Sequence, residues 1–113
     1  MDEKVYLWHS AHKVASFFGN ENEPLVISNA CISGAAAQVE ALRLIENGYY
    51  ENCVVVGGEL LSKFIISGFQ SFKALSQEQC QPFDKNRHGL NLGEAAATII
   101  YSKENKTNSK IVL

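Results

Sequence analysis

Cysteines stand at positions 31, 53 and 80 of this 113-residue chain, and one of them occupies ground suited to sulfur chemistry. Cys31 lies in SNACISGAAAQ, where an apolar run gives way to an alanine-rich one. A free cysteine is most often a buried packing residue. At a strand-to-helix junction the setting differs: the unpaired N–H groups of the first helical turn and the positive end of the macrodipole favour an anion, and the thiolate is the attacking form of cysteine. Gly34, Ala35 and Ala36 keep side-chain bulk off the approach, and the Cys31 backbone N–H can face an oxyanion formed during attack. Strand, sharp turn and helix form the mechanical plan of the hydrolase nucleophile elbow. Cys53 opens an apolar run and Cys80 stands between Gln79 and Gln81, so packing and surface roles suit them.

Other reactive residues carry less. His9 and His12 are three apart and can share a helix face, but two ligands without a third make no metal site. The cysteines are odd in number and irregularly spaced, with no CxxC, which argues against a disulfide framework and against zinc. Gly57 and Gly58 follow an apolar run, yet neither GxGxxG nor GxxxxGK[ST] is present, so a small α/β nucleotide-binding domain is a weak alternative. Asp84 and Arg87 are spaced to pair across a turn and hold the connector around them.

The elements that must position Cys31 follow from pattern. Leu7, Ala11, Val14, Ala15 and Phe18 recur at helical spacing, and Gly19 follows where a helix commonly stops. NENE at 20–23 is a polar loop, Pro24 can open a strand, and Leu25, Val26 and Ile27 predict a short strand extending to residue 30. From Ser33 to Asn47 the pattern is helical, ended by Gly48, and the alanines at 35, 36 and 37 predict a helix buried at its N-terminal end. CVVVGGEL, rich in β-branched residues, predicts a strand over 53–58 covered on both faces. Strand, helix and strand in this span predict a right-handed parallel crossover. Residues 61–79 read as loop and short helix, 82–93 as a turn-rich connector and EAAATIIYS as a last strand.

Composition sets the class. At 46% hydrophobic and 19% charged the chain is globular and sized for a single domain over 1–113. A net charge of −2 gives no electrostatic reason to expect nucleic acid or an anionic membrane surface. No apolar run approaches the roughly 20 residues of a spanning helix, and MDEKVYLWHS lacks signal-peptide features, so a cytosolic protein is expected.

SNACISGAAA, then Gly48, VVVGGE, GFQSFKALS and PFDKNRHGLNLGEAAATIIY, in that order, resemble the beta-ketoacyl synthases, the condensing enzymes of fatty-acid and polyketide assembly. The likeness runs from near His9 to about Tyr101. It implies an α/β, partial thiolase-like fold: the strand–helix–strand crossover plus a final antiparallel strand, in layers of helix and sheet. It also implies that Cys31 is the nucleophile that takes an acyl chain as a thioester. A malonyl group then loses carbon dioxide, and the carbanion attacks the acyl carbonyl to give a 3-oxoacyl thioester. No cofactor is held permanently; both groups arrive on the phosphopantetheine of acyl carrier protein, the implied partner. Phe69 matches an aromatic that lines the pocket of such enzymes, although an ordinary core role fits it as well. Asp84, Arg87 and Glu94 fall on the family's charged landmarks and, with Gly34, read as structural.

The pattern departs in places. Asn29 and Ile32 are unusual flanks for the cysteine, GEAA stands for the more familiar GEGA, and GGE at 57–59 is a residue out of step with GGAE, marks of a divergent branch. The family's two histidines and lysine of decarboxylation lie in the second half of a much longer chain, and His9, His12 and His88 do not stand in those motifs. In the thiolase strand order 3-2-1-4-5, the strands at 25–30 and 53–58 would flank a gap. The expectation is a fragment from the N-terminal half of a synthase, competent alone at most for acylation, in a homodimer or with the missing synthase parts. The alternative is a non-catalytic partner subunit of a condensing enzyme.

Overall fold

The computed structural model describes residues 6–104. Its order is α1 (Leu7–Phe17), a 3-10 turn (Ala30–Ile32), α2 (Ser33–Glu46), β1 (Asn52–Glu59), α3 (Lys63–Ser71) and β2 (Ala95–Ser102). β1 and β2 form a two-stranded antiparallel sheet, and the Lys103 N–H continues the ladder onto the Glu51 carbonyl at 2.9 Å. The described residues fall into two compact units, 6–56 with 98–104 and 57–97, so each strand contributes to both.

In the first unit, α1 and α2 end as their sequences predict. The Asn20 N–H reaches the Ala15 carbonyl and the Gly19 N–H that of Ser16, with Gly19 at φ 64°. At the end of α2, Tyr49 N–H to Leu44 carbonyl and Gly48 N–H to Ile45 carbonyl repeat the pair, with Gly48 at φ 76°. This is the Schellman arrangement, which satisfies carbonyls that would otherwise lack partners and needs a left-handed residue that glycine supplies without strain. The buried residues are Ala15 of α1 with Ala41 and Ile45 of α2. They lie toward the C-terminal halves of their helices. The expected burial of the N-terminal end of α2 is therefore not found: Ala35 is exposed and Ala36 and Ala37 are half-buried. Small side chains permit close approach, but no described element closes on them.

Residues 25–30 are not a strand, and the parallel crossover predicted through them does not form. A strand exists only by its ladder, and the backbone of 25–28 has no hydrogen-bond partner among the described residues. β1 alternates as a strand should, with Cys53 and Val55 half-buried on one side, but Val54 and Val56 on the other are 43% and 41% exposed. The cover expected on both faces is present on one.

In the second unit, Ser62 caps α3 by accepting from the Ile65 N–H at 3.2 Å. Its C-terminus repeats the Schellman pair through Ala74 N–H to Phe69 carbonyl and Lys73 N–H to Gln70 carbonyl, with Lys73 taking the left-handed position at φ 54°. The connector is tied by Asn91, whose amide donates to the Ser76 and Glu78 carbonyls, each at 3.0 Å, while its oxygen accepts from the Cys80 N–H at 2.8 Å. Leu75 and Leu90 meet in a parallel bridge. Gly89 lies beside it at φ 141°, where a Cβ would come within 2.8 Å of the Ala74 carbonyl oxygen.

Candidate functional site

Cys31 lies in the 3-10 turn immediately before α2, and it is exposed. The chain enters this turn through Ala30, which has a side chain and yet takes φ 47°. A non-glycine residue in that region costs about 1–2 kcal/mol, so something must hold it. Ser33 does: its hydroxyl donates to the Ala30 carbonyl at 2.7 Å and accepts from the Asn29 N–H at 2.7 Å. Two such bonds, each contributing about 0.5–1.5 kcal/mol, offset the backbone cost. The result is a sharp, cross-braced elbow with the cysteine at its outer edge.

Electrically the elbow is open to an anion. No acidic residue occupies the first turn of α2, and its N-cap, Ile32, has no oxygen with which to cap. Among the described residues the Cys31 N–H has no hydrogen-bond partner. A backbone donor and a thiol on one residue, at a helix start without a side-chain cap, can receive a developing oxyanion and supply the nucleophile. Gly34 follows in the first turn, and beyond its chain neighbours and its own helix backbone no heavy atom stands within 4 Å of where its Cβ would be. The approach to Cys31 is clear on that side.

The other cysteines differ. Cys53 is half-buried on β1, and burial pushes its thiol above the ordinary range. Cys80 is half-buried in the connector, where Asn91 accepts from its backbone N–H.

The remaining predicted residues belong to the second unit. Phe69 is half-buried on α3. Glu94 accepts from the Leu61 N–H through Oε1 at 2.8 Å, binding the segment after β1 to the start of β2. Asp84 and Arg87 meet across the turn, through the backbone: Arg87 Nη1 donates to the Asp84 carbonyl at 2.9 Å. The Asp84 carboxylate accepts instead from the Asn86 N–H at 2.7 Å. That bond is the local side-chain-to-backbone turn contact an aspartate two residues upstream commonly makes.

On α1, Trp8 makes edge contacts with the rings of His9 and His12, and His12 lies 3.3 Å from Glu23. No group of three or more metal-ligating side chains gathers among the described residues. No helix among them is long and apolar enough to cross a membrane. The residues that sequence reading passes over are Ser33, Asn91 and the pair Gln38 and Tyr101, joined by a hydrogen bond of 2.7 Å. Only Ser33 leaves a sequence signal, as a hydroxyl two positions after the cysteine at a helix start.

Comparison with known proteins gives one answer. The model of the beta-ketoacyl synthase N-terminal domain matches residues 7–106. A 3-oxoacyl-[acyl-carrier-protein] synthase 2 of Synechocystis is 35% identical over 78 residues, covering 63% of this chain and 19% of that protein. A protein of Streptomyces cyaneus named as a polyketide beta-ketoacyl synthase is 30% identical over 97 residues, 80% of this chain and 23% of its own. Among solved structures, a ketosynthase in complex with its chain length factor from Xenorhabdus doucetiae superposes with a TM-score of 0.78 at 33% identity, over 88% of this chain and 25% of that one. A beta-ketoacyl synthase from Burkholderia phymatum gives 0.74 at 30%, over 82% and 24%. The chain thus spans about a fifth to a quarter of the length of these relatives. The partial thiolase-like α/β fold is theirs.

Proposed function

Because this chain belongs to the beta-ketoacyl synthase family, we infer that Cys31 is an acyl acceptor in the condensation chemistry of fatty-acid or polyketide synthesis. The observation that carries this is the elbow: an exposed thiol on a strained, Ser33-braced turn, with its own N–H unpartnered among the described residues at the start of α2.

In the reaction the Cys31 thiolate attacks the carbonyl carbon of an acyl group carried on phosphopantetheine. A carbon–sulfur bond forms to Cys31, and the carbonyl electron pair moves to oxygen, where the Cys31 N–H can meet it. Collapse breaks the bond to the pantetheine sulfur, which departs as a thiolate and takes up a proton. The acyl and malonyl groups are delivered by acyl carrier protein, the partner this reading assigns, and no cofactor is held permanently. The family resemblance matches Phe69 to a pocket-lining aromatic, with an ordinary core role as the alternative, and gives Gly34, Asp84, Arg87 and Glu94 structural roles, each within its own unit.

Condensation requires more. Decarboxylation of the malonyl group in this family draws on two histidines and a lysine, and the histidines here, at 9, 12 and 88, lie outside those motifs. The residues of this sequence support acylation, and condensation draws on further synthase parts that supply those groups, with a homodimer or a hetero-oligomer as the assembly this reading assigns.

Intact-mass analysis after incubation with an acyl-pantetheine thioester tests this. The expected result is one acyl addition, lost in Cys31→Ala, and no 3-oxoacyl product when a malonyl thioester is added to the chain alone. Acyl addition that persists in Cys31→Ala removes the nucleophile assignment, and sustained condensation by the chain alone removes the restriction to acylation.

A second reading, a non-catalytic partner subunit, is favoured by the apolar side chains at the surface, Leu25, Val26, Val54 and Val56 among them. Alkylation near neutral pH separates the two. Cys31 reacting much faster than Cys53 and Cys80 supports catalysis, and three equally slow thiols support the scaffold.

A further inference from the structure

The two ends of α2 are held by different means. Its buried anchors, Ala41 and Ile45, both lie in its second half, while none of residues 33–38 is buried. Yet that poorly packed end is the one joined to Cys31. What reaches it from the sheet is polar. The Tyr101 hydroxyl on β2 donates to Gln38 Oε1 at 2.7 Å, in a part-buried bond. Gln38 Nε2 donates in turn to the Gly34 carbonyl at 3.1 Å, in the first turn of the helix. Among the described residues no other side-chain hydrogen bond joins α2 to the sheet.

We propose that Tyr101 and Gln38 are positioning residues: the relay from the Tyr101 hydroxyl through the Gln38 amide to the Gly34 carbonyl sets the rotation and depth of the first turn of α2, and thereby the attitude of Cys31. The proposal rests on the reading of Cys31 as the acyl acceptor. Neither residue touches the acyl group. The amide is suited to the task because it accepts at one atom and donates at the other, so one side chain converts a strand hydroxyl into a constraint on a helix carbonyl. The Tyr101–Gln38 bond is part-buried, where a lower local dielectric strengthens it relative to the exposed bonds around it, the Gln38–Gly34 bond included.

The test uses Tyr101→Phe, which removes only the hydroxyl, Gln38→Leu, and the double variant. Acylation of Cys31 by an acyl-pantetheine thioester is followed over a range of concentrations, with amide hydrogen exchange across residues 33–38. Each single variant is expected to lower the maximal acylation rate about five- to tenfold, the scale of one hydrogen bond, with the half-saturating concentration unchanged. The double variant should be no slower than either single, because the two act through one connection. Exchange at the first turn of α2 should quicken while β1 and β2 hold, and alkylation of Cys53 and Cys80 should not change.

Rates within twofold of the unsubstituted chain, or losses that simply add, would overturn the proposal. Should the unsubstituted chain take no acyl group at Cys31, the functional reading falls by itself. Hydrogen exchange in Tyr101→Phe then decides the positioning role alone: unchanged exchange at residues 33–38 refutes it.

Discussion

Ser33 Oγ lies 2.7 Å from the carbonyl oxygen of Ala30, the residue whose φ of 47° turns the chain toward Cys31. One hydroxyl thereby holds a backbone conformation that its bearer does not share, and Cys31 sits between the two in the chain.

Replacing Ser33 by Ala deletes both of its bonds, to the Ala30 carbonyl and from the Asn29 N–H. The elbow is exposed to water, which replaces part of what is lost, so the stability change should be about 1 kcal/mol. The local effect should be larger. Released from its brace, Ala30 relaxes toward negative φ, and iodoacetamide labelling followed by peptide mapping should show Cys31 losing any rate advantage over Cys80. Ser33→Thr keeps the hydroxyl and should keep the advantage.

Two glycines make a controlled pair. At Gly89 an added Cβ meets the Ala74 oxygen at 2.8 Å and the Leu75 carbon and Ser76 nitrogen at 3.2 Å, all backbone, with φ at 141°. Gly89→Ala should cost at least the roughly 1–3 kcal/mol of a strained backbone position and should break the Leu75–Leu90 bridge. At Gly34 nothing beyond its chain neighbours and its own helix backbone lies within 4 Å, and Gly34→Ala, at the second position of α2, should gain up to about 0.5 kcal/mol. Denaturant unfolding of the two variants should shift the midpoint in opposite directions.

Cys53 supplies a pH dependence. Burial raises its thiol above the reference value of 9.0, so the folded chain keeps the proton over a range in which the unfolded chain has released it. The unfolded state then binds fewer protons, and stability falls as pH rises. The contribution is complete below about pH 9, the unfolded value, and is lost as pH rises through the higher folded one. Unfolding midpoints measured from pH 7 to 10.5 should decline more steeply in the parent than in Cys53→Ala, and alkylation of Cys53 should lag behind that of Cys31 at pH 8.

What was legible in the sequence was what short-range physics decides. Helical spacing with Gly19 and Gly48 at the ends located α1 and α2, and β-branched runs located β1 and β2. Leu25, Val26 and Ile27 carry the same signature as β1 and form no strand, because pairing is decided by a neighbour and not by the segment. The placing of Cys31 at a strand-to-helix junction was half correct for this reason: the helix and the sharp turn are present, and the strand is not. The spacing of Asp84 and Arg87 shows that they can meet across a turn, but it does not show that the guanidinium reaches the backbone carbonyl while the carboxylate engages Asn86. The bonds of Asn91 and of Tyr101 with Gln38 span from 11 to 63 positions and leave no mark on local pattern.

Among the described residues, α1, α2 and α3 all finish with the same two backbone bonds, closed within six residues of chain. Where each rod stops, and the direction in which the polypeptide leaves it, is therefore encoded by its immediate neighbours and owes nothing to distant surfaces. Such punctuation can be in place on the microsecond scale at which helices form, before β1 has found β2. The segment bearing the thiol thus acquires its length and its exit early, and long-range assembly has only to orient an already finished part.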